Sequence, residues 1–211
     1  MAKSSIVSTP LLLLMFINIG PHSKVAAQRS HNASRATFIG EIVDREEIGN
    51  PEASVLIPQP NIGVNGYFSN DKAQRGRTIQ AAIVIDIPSG YHVNANRPLN
   101  KYSIPTSLKV EGPRGITIGP TVYPRAVVRK LKAVNNEPLA VYESRAILRF
   151  NVTVSANYQE SSADLKARLK FQSCNDEVCF PPKTQEVNMG IGVVSANDRV
   201  QRTNGWVFGR R

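Results

Sequence analysis

The 211-residue chain has little cysteine and little histidine: it contains two cysteines, Cys174 and Cys179, and three histidines. Two thiols exclude the dense disulfide framework of small secreted domains. A structural zinc site generally needs four Cys or His ligands. His31 and His92, the histidines beyond the N-terminal segment, are both distant from the cysteines in sequence. We therefore expect no metal site and no cofactor.

Long apolar runs are also lacking. Residues 11–17 are apolar but too few to span a bilayer comfortably, and they lie between Lys3 and the small residues Val25-Ala26-Ala27. This pattern predicts a signal peptide over residues 1–27, with an uncleaved membrane anchor as the alternative. After cleavage we expect no stable membrane insertion and a periplasmic or secreted location, where disulfides persist.

Acidic residues are the minority, since 16 Asp and Glu against 26 Lys and Arg give a formal charge of +10. A basic surface can bind nucleic acid, anionic lipid or an acidic protein. Here the basic residues are scattered, and in residues 165–172 they alternate with apolar ones, as on a solvated sheet face. Because the clustered basic footprint is missing and an export signal is present, we expect no nucleic-acid partner.

Sustained helical periodicity is absent, whereas alternation of apolar and polar residues recurs from Thr78 onward. Apolar residues occupy alternate positions in 79–87, 148–154 and 165–171. Turns rich in Gly and Pro, such as 112–115, separate the alternating runs. Short alternating strands divided by such turns predict an all-β fold, and an immunoglobulin-like β-sandwich in particular.

The two ends of the chain are more polar than its middle. Residues 28–75 contain charged and turn-forming clusters and one short apolar stretch, which predicts a loosely ordered lead-in. Residues 76–195 carry the alternating strands and are expected to form the single domain. Residues 196–211 are polar and basic apart from Trp206-Val207-Phe208, so we expect a frayed basic tail.

The two cysteines follow the end of an alternating strand. Four residues separate them, and Asn175-Asp176 favours a turn between them. A hairpin closed at this turn would bring the two Cβ atoms within bonding distance. Pro181 and Pro182 follow, and they remove backbone donors as the chain leaves the loop.

A disulfide closed over this short loop would be a weak staple. Closing about six residues stabilises a fold by roughly 2 kcal/mol through unfolded-state entropy. Two neighbouring thiols can instead exchange with a partner, because one attacks and the other resolves the mixed disulfide. The residues therefore favour a redox pair, with a passive local disulfide as the alternative. The spacing is not the Cys-x-x-Cys of thioredoxins, so their mechanism for lowering a thiol pKa is not assumed.

Residues 171–182, FQSCNDEVCFPP, resemble the active-site loop of the N-terminal periplasmic domain family of the thiol:disulfide interchange protein DsbD. Two further segments resemble that family in the same order: 87–96, IPSGYHVNAN, and 141–145, VYESR. The resemblance covers about residues 75–194. It implies an immunoglobulin-like fold and the activity of a thiol–disulfide oxidoreductase.

The resemblance also implies partners and roles. In this family the domain receives electrons from a membrane-linked thioredoxin-like domain and passes them to exported disulfide isomerases or cytochrome-maturation thioredoxins. We therefore expect thioredoxin-like redox proteins and a separate membrane electron carrier as partners. By the same resemblance, Cys179 forms mixed disulfides and Cys174 is the more buried resolving cysteine. The alternative is an exported immunoglobulin-like binding or chaperone module with a passive disulfide.

The family has a cap loop that shields the cysteine pair. The matching stretch here is residues 133–139, which lacks the aromatic residue that the best-known members place over the disulfide. The loop around the cysteines and the cap region together supply the remaining candidate site residues, which are Asn175, Asp176, Glu177, Phe180, Pro181, Asn136, Glu137 and Tyr142.

Other polar and aromatic residues are expected to be structural. His92 follows a turn, and nothing in the sequence places it beside the cysteines, so we expect it to be packed or hydrogen-bonded. Core packing is also the commoner role of aromatic side chains. A groove around the pair is the alternative for four tyrosines: Tyr91, Tyr102, Tyr123 and Tyr142.

Asp176 and Glu177 place two negative charges inside the loop between the cysteines. We expect these charges to raise the pKa of a neighbouring thiol and to make it less reactive at neutral pH. The Asp176→Asn, Glu177→Gln double variant should therefore show a lower thiol pKa than the wild type when the reduced protein is titrated by thiolate absorbance. An unchanged pKa would contradict this prediction.

Overall fold

The computed structural model describes residues 59–100 and 103–209. The predicted signal peptide, residues 28–58 of the predicted lead-in and Tyr102 lie outside the described residues. Within the described part of the chain, no helix is long and apolar enough to cross a membrane.

The described chain consists of short strands joined by turns, with two helical turns. The strands are β1 (Gly63–Phe68), β2 (Lys72–Gln74), β3 (Thr78–Asp86), β4 (His92–Asn94), β5 (Ser107–Glu111), β6 (Ile116–Ile118), β7 (Val127–Lys130), β8 (Pro138–Tyr142), β9 (Arg145–Val154), β10 (Ser162–Phe171), β11 (Ser173–Cys174) and β12 (Lys183–Val194). A 3-10 helix covers Lys132–Val134, and the short helix α1 covers Gly205–Phe208.

Two four-stranded sheets enclose the main core. One has the strand order β1-β3-β9-β6 and is antiparallel. The other has the order β2-β12-β10-β5, in which β2 runs parallel to β12. Along β9 and β10 every second residue is buried in this core, because successive side chains of a strand point to opposite faces. The all-β prediction is confirmed, and the packed antiparallel sheets are consistent with an immunoglobulin-like sandwich.

A third, smaller sheet positions the cysteines. Its strand order is β11-β4-β8-β7, and its strands are antiparallel. Val93 of β4 is paired with Tyr142 of β8, and both side chains are buried in the main core. His92 precedes Val93 on β4 and is paired with Cys174 of β11. Because successive side chains of a strand point to opposite faces, His92 and Cys174 share the face that points away from the main core. We call this face, which carries Cys174, His92 and Val141, the cysteine face.

Residues 59–75 are more ordered than the sequence indicated. Strand β1 pairs with β3 along its whole length, and β2 joins the edge of the other sheet beside β12. The sequence of β1, GVNGYF, contains two glycines and therefore does not resemble a strand. A Cβ on Gly66 would lie 2.5 Å from Cγ of Met189, so a larger residue there would require the Met189 side chain to move. The expected lead-in boundary is corrected: the sheets already include Gly63.

The C-terminal segment up to residue 209 is also part of the domain. Val207 is fully buried against Ala82 and Val84 of β3. The guanidinium of Arg149 donates hydrogen bonds from Nε and Nη2 to the carbonyl oxygen of Val207. The expected frayed tail is therefore corrected for the described residues. In the sequence, only the apolar triplet at residues 206–208 indicated that this segment packs against the domain.

We predict that Val207→Ala destabilises the folded protein by about 1–3 kcal/mol, because it removes two methyl groups from a closed apolar site. The matched control is Val128→Ala, the same chemical change at a residue that is 58% exposed. It should change the free energy of unfolding by less than about 0.5 kcal/mol. Urea denaturation measures both values. Equal effects of the two variants would show that the C-terminal segment does not contribute to the core.

Candidate functional site

The two cysteines close a hairpin at the end of β11. Their Sγ atoms are bonded at 2.07 Å, and their Cα atoms lie 4.0 Å apart. Two backbone hydrogen bonds fix the hairpin: Asn175 N donates to Val178 O at 2.9 Å, and Phe180 N donates to Ser173 O at 2.9 Å. The local disulfide that the spacing favoured is therefore formed.

The side chain of Asn175 shapes the turn of this hairpin. Its Oδ1 accepts hydrogen bonds from the backbone N–H groups of Glu177 at 2.9 Å and Val178 at 2.7 Å. An Asn side chain that binds the backbone ahead of it mimics a turn, which is why Asn favours this position. Asp176 and Glu177 are thereby held at the exposed tip of the loop.

The two halves of the disulfide differ in burial. Cys174 is fully buried and packs with Leu131, Leu139 and Val141 in a small apolar cluster on the cysteine face. Cys179 is only partly buried and lies at the edge of that cluster. An incoming sulfur atom can therefore approach Cys179 more readily than Cys174.

The predicted cap lies directly against the cysteine pair. Ala133 and Val134, in the 3-10 helix, pack against the apolar cluster that contains the disulfide. Ala133 N donates a hydrogen bond to Asp176 O at 2.9 Å, and Lys132 Nζ lies 3.1 Å from Glu177 Oε1. Small aliphatic side chains of the cap therefore pack against the cluster, and Ala133 and the preceding Lys132 add two polar links to the cysteine loop.

A cleft of about 280 Å³ opens between the cap and the loop that follows β4. Cys179 lines this cleft together with Asn94, Gln172, Asn135 and Glu137. The cleft therefore provides an approach to the partly buried cysteine, and its walls are rich in amide groups.

Two of the residues that line this cleft, the buried Asn94 and the partly buried Gln172, form a hydrogen-bonded amide pair. Asn94 Nδ2 donates to Gln172 Oε1 at 3.0 Å, and Gln172 Nε2 donates to the carbonyl oxygen of Phe180 at 3.1 Å. The pair links β4 to both sides of the cysteine hairpin. Asn94 Oδ1 is buried and has no hydrogen-bond partner.

His92 lies beside the cysteine pair, which the sequence did not indicate. Its Nε2 is 3.5 Å from Asp176 Oδ1, and its Nδ1 is 3.1 Å from Glu143 Oε1 without a well-aligned hydrogen bond. Arg129 donates two hydrogen bonds to the same Glu143 carboxylate, at 2.6 and 2.7 Å. These bonds, with a smaller effect of His92, hold the pKa of Glu143 below its ordinary value although burial opposes the shift.

Both carboxylates of the loop face a basic group. Asp176 faces His92, and Glu177 faces Lys132. The prediction that these carboxylates raise a thiol pKa stays a prediction. Removing both carboxylates would leave the basic groups of His92 and Lys132 beside the loop. This arrangement reinforces the fall in thiol pKa that we expect for the Asp176→Asn, Glu177→Gln variant.

The other candidate residues differ in how far they are buried. Phe180 is buried, with its ring centroid 6.1 Å from that of Tyr91, whereas Pro181 is exposed. Asn136 and Glu137 are exposed in the cap.

Tyr142 is not part of the cap. It lies on the core face of the third sheet, opposite to Cys174, and its hydroxyl donates to Asn96 Oδ1 at 2.7 Å. Burial raises the pKa of this phenol. Its assignment as a cap candidate is therefore corrected, because Tyr142 and the cysteine face lie on opposite sides of the sheet.

Sequence reasoning missed three residues that contact the site: His92, Asn94 and Gln172. His92 and Asn94 become adjacent to the pair only through the pairing of β11 with β4, which joins distant parts of the chain. Their only signal in the sequence was the matched segment 87–96, whereas Gln172 lies two residues before Cys174, within the matched segment 171–182.

Comparison with known families places this geometry in context. The family described as "Thiol:disulfide interchange protein DsbD, N-terminal" matches residues 65–190, a stretch that includes both cysteines, the cap and His92. The chain belongs to the DsbD N-terminal domain family. Members of this family act in thiol–disulfide exchange, and the cysteine pair of this chain lies within the matched residues.

Two solved structures resemble the chain at low identity. The N-terminal domain of DsbD from Neisseria meningitidis, in its reduced form, is 14% identical over 67% of this chain and 90% of that one, with a TM-score of 0.38. The N-terminal periplasmic domain of ScsB from Proteus mirabilis is 11% identical over 64% of this chain and 47% of that one, with a TM-score of 0.42. No curated protein sequence matches the chain. Family membership therefore rests on the family match.

We predict that Asn175→Ala loosens the cysteine hairpin, because it removes the acceptor of two backbone hydrogen bonds. At about 1 kcal/mol for each bond, amide hydrogen exchange at Glu177 and Val178 should accelerate roughly 5- to 30-fold. Asn175→Asp is the matched control, since a carboxylate oxygen can accept the same bonds. Exchange that is equally slow in the alanine variant and the wild type would contradict the assigned role of Asn175.

Proposed function

We propose that this chain is a thiol–disulfide oxidoreductase that carries electrons between two redox proteins through Cys174 and Cys179. Family membership supports the reaction class. The roles of the two cysteines are assigned from their unequal burial. Cys174 is fully buried, whereas Cys179 lines the cleft. We assign the contact with partners to Cys179 and the resolving step to Cys174.

The reaction proceeds through two exchange steps. In the reduced protein, the Cys179 thiolate attacks a disulfide of the acceptor, forms a mixed disulfide and releases one acceptor thiolate. The Cys174 thiolate then attacks Sγ of Cys179, which restores the Cys174–Cys179 disulfide and releases the second acceptor thiolate. Two electrons pass to the acceptor, and a donor dithiol reduces the pair again by the same steps in reverse.

The partners are proposed to be thioredoxin-like redox proteins, with a separate membrane electron carrier as the source of electrons. A thioredoxin-like domain presents a reactive cysteine at its surface, which can enter the cleft beside Cys179. The amide groups of the cleft can bind the polar backbone around that cysteine. We place the reaction in the periplasm or another extracytoplasmic space, consistent with the predicted signal peptide and with the oxidising conditions that a disulfide carrier needs.

Trapping a mixed disulfide tests this proposal. The reduced Cys174→Ser variant, incubated with a thioredoxin-like protein whose single remaining active-site cysteine is activated as a mixed disulfide with thionitrobenzoate, should release thionitrobenzoate and form a covalent complex through Cys179, because neither protein then has a second thiol to resolve it. The matched control is Cys179→Ser, which retains only the buried thiol and should give at least tenfold less complex. Non-reducing electrophoresis and mass spectrometry of the linked peptides measure both.

Two outcomes would contradict the proposal. Absence of a complex with Cys174→Ser would indicate a passive disulfide, as in a binding or chaperone module. A complex formed equally well by both variants would overturn the assigned roles. Unfolding in urea, which exposes the one thiol that each variant retains, serves to check that this thiol is reactive.

A further inference from the structure

The short helix α1 lies on the face of the β1-β3-β9-β6 sheet that points away from the main core. The residues of β3 that it covers, Ala82 and Val84, alternate with the residues of β3 that face that core. Val207 is fully buried against them, and Tyr67 and Phe208 pack against the same cluster. Val207 therefore attaches α1 to the sheet.

Trp206 precedes Val207 in α1 but is 53% exposed. Its ring lies edge-on to that of Tyr67, with the ring centroids 5.1 Å apart. The guanidinium carbon of Arg145 lies 5.0 Å from the centroid of the same ring, and Arg145 Nε donates a hydrogen bond to Asp86 Oδ1 at 2.6 Å. Two contacts therefore hold the indole ring in one place, while about half of the residue stays open to solvent.

A second exposed arginine lies close to α1. Arg202 and Phe208 line a depression of about 420 Å³ on this face, together with Gln80. Two more arginines, Arg210 and Arg211, follow in the sequence. We call the solvent-facing side chains around α1 the tryptophan patch, which consists of Tyr67, Arg145, Arg202, Trp206 and Phe208.

The carboxylates near the tryptophan patch are already engaged. Asp86 is paired with Arg145, and Asp71 Oδ1 accepts a hydrogen bond from the backbone N–H of Gln201 at 2.7 Å. Among the described residues, no carboxylate lies within ion-pair distance of Arg202. The patch therefore combines exposed aromatic surface with positive charge that its own acids do not fully balance.

This combination suits the surface of an anionic bilayer. Trp and Tyr have an apolar body and a polar edge, and they concentrate at membrane–water interfaces. Arginine can lay its stem on apolar surface while its guanidinium reaches a phosphate. The helical turn presents Trp206 outside the sheet, where it can enter the headgroup layer without any change in the fold.

We propose that the tryptophan patch binds the protein peripherally to an anionic phospholipid bilayer. Trp206 lies at the level of the headgroups, and Arg145 and Arg202 bind lipid phosphates. The contact involves no covalent step and does not depend on the cysteines. It would hold the carrier at the kind of surface where the proposed membrane source of electrons is located.

The test uses the fluorescence of the exported chain, which contains a single tryptophan, Trp206. The protein is titrated with vesicles of phosphatidylglycerol and phosphatidylcholine in equal parts, or of phosphatidylcholine alone, at an ionic strength of about 0.15 M. The mixed vesicles should shift the emission of Trp206 to shorter wavelength and sediment with the protein. Vesicles of phosphatidylcholine alone should do neither, and added salt should reverse the binding.

Two arginine variants separate the patch from the net charge of the protein. Arg202→Gln should weaken binding to the mixed vesicles about fivefold, as expected for one arginine at an anionic surface. Arg168→Gln is the matched control, because Arg168 is exposed on β10 in the opposite sheet and the same unit of charge is removed. It should leave the affinity within about twofold of the wild type.

A third variant tests the aromatic contribution. Trp206→Ala removes the side chain that enters the interface and should weaken co-sedimentation about tenfold. Urea denaturation checks that this variant is folded. Arg202→Gln changes only an exposed side chain, so it keeps the test decisive if Trp206→Ala does not fold.

Several outcomes would overturn the inference. These are an unchanged Trp206 emission with the mixed vesicles, equal binding to phosphatidylcholine alone, or equal weakening by Arg202→Gln and Arg168→Gln. An emission shift with soluble polyglutamate but not with vesicles would assign the patch to an acidic protein instead. Trapping of the mixed disulfide by Cys174→Ser is independent of all these results, so either proposal can fail without the other.

Discussion

The pairing of the two-residue strand Ser173–Cys174 with His92–Asn94 is the interaction on which the site depends. It fixes which side chains share a face with the disulfide. Cys174 then points away from the main core into a small apolar cluster, while Tyr142 and Val93 point into the core. The same pairing brings the imidazole of His92 and the buried amide of Asn94 to the cysteine hairpin, where they face Asp176 and Gln172 respectively.

The small third sheet separates the chemistry of the site from the stability of the fold. The two large sheets bury the main core between them, and the cysteine cluster is distinct from it. Opening the disulfide therefore disturbs a cluster of four buried residues, Leu131, Leu139, Val141 and Cys174, rather than the sandwich. In the proposed function, the covalent change at Cys174 and Cys179 is therefore confined to this cluster.

The cap contributes both to the apolar cluster and to the cleft. Ala133 and Val134 pack against the cluster that contains Cys174, and a backbone hydrogen bond from Ala133 to Asp176 links the cap to the cysteine loop. The same two residues line the cleft together with Cys179. The cap therefore forms one wall of the cleft from which Cys179 can be approached.

The sequence predicted features that depend on local pattern. Alternation along 148–154 and 165–171 gave strands β9 and β10, and the spacing of Cys174 and Cys179 with Asn175 between them gave the closed hairpin. Features that depend on long-range register were not predictable. His92 meets Cys174 only through sheet pairing, and β1 was not predicted because its glycines have low strand propensity, although Gly66 packs closely against Met189.

The reduction potential of the Cys174–Cys179 pair tests the central claim most directly, because it separates an exchange-active disulfide from a structural one without reference to any partner. Structural disulfides in secreted proteins typically lie below about −300 mV, whereas exchange-active pairs lie above that value. Equilibration with glutathione or dithiothreitol buffers of known potential, followed by alkylation of free thiols, measures it. A value above about −300 mV is predicted, and a value well below it would contradict the account.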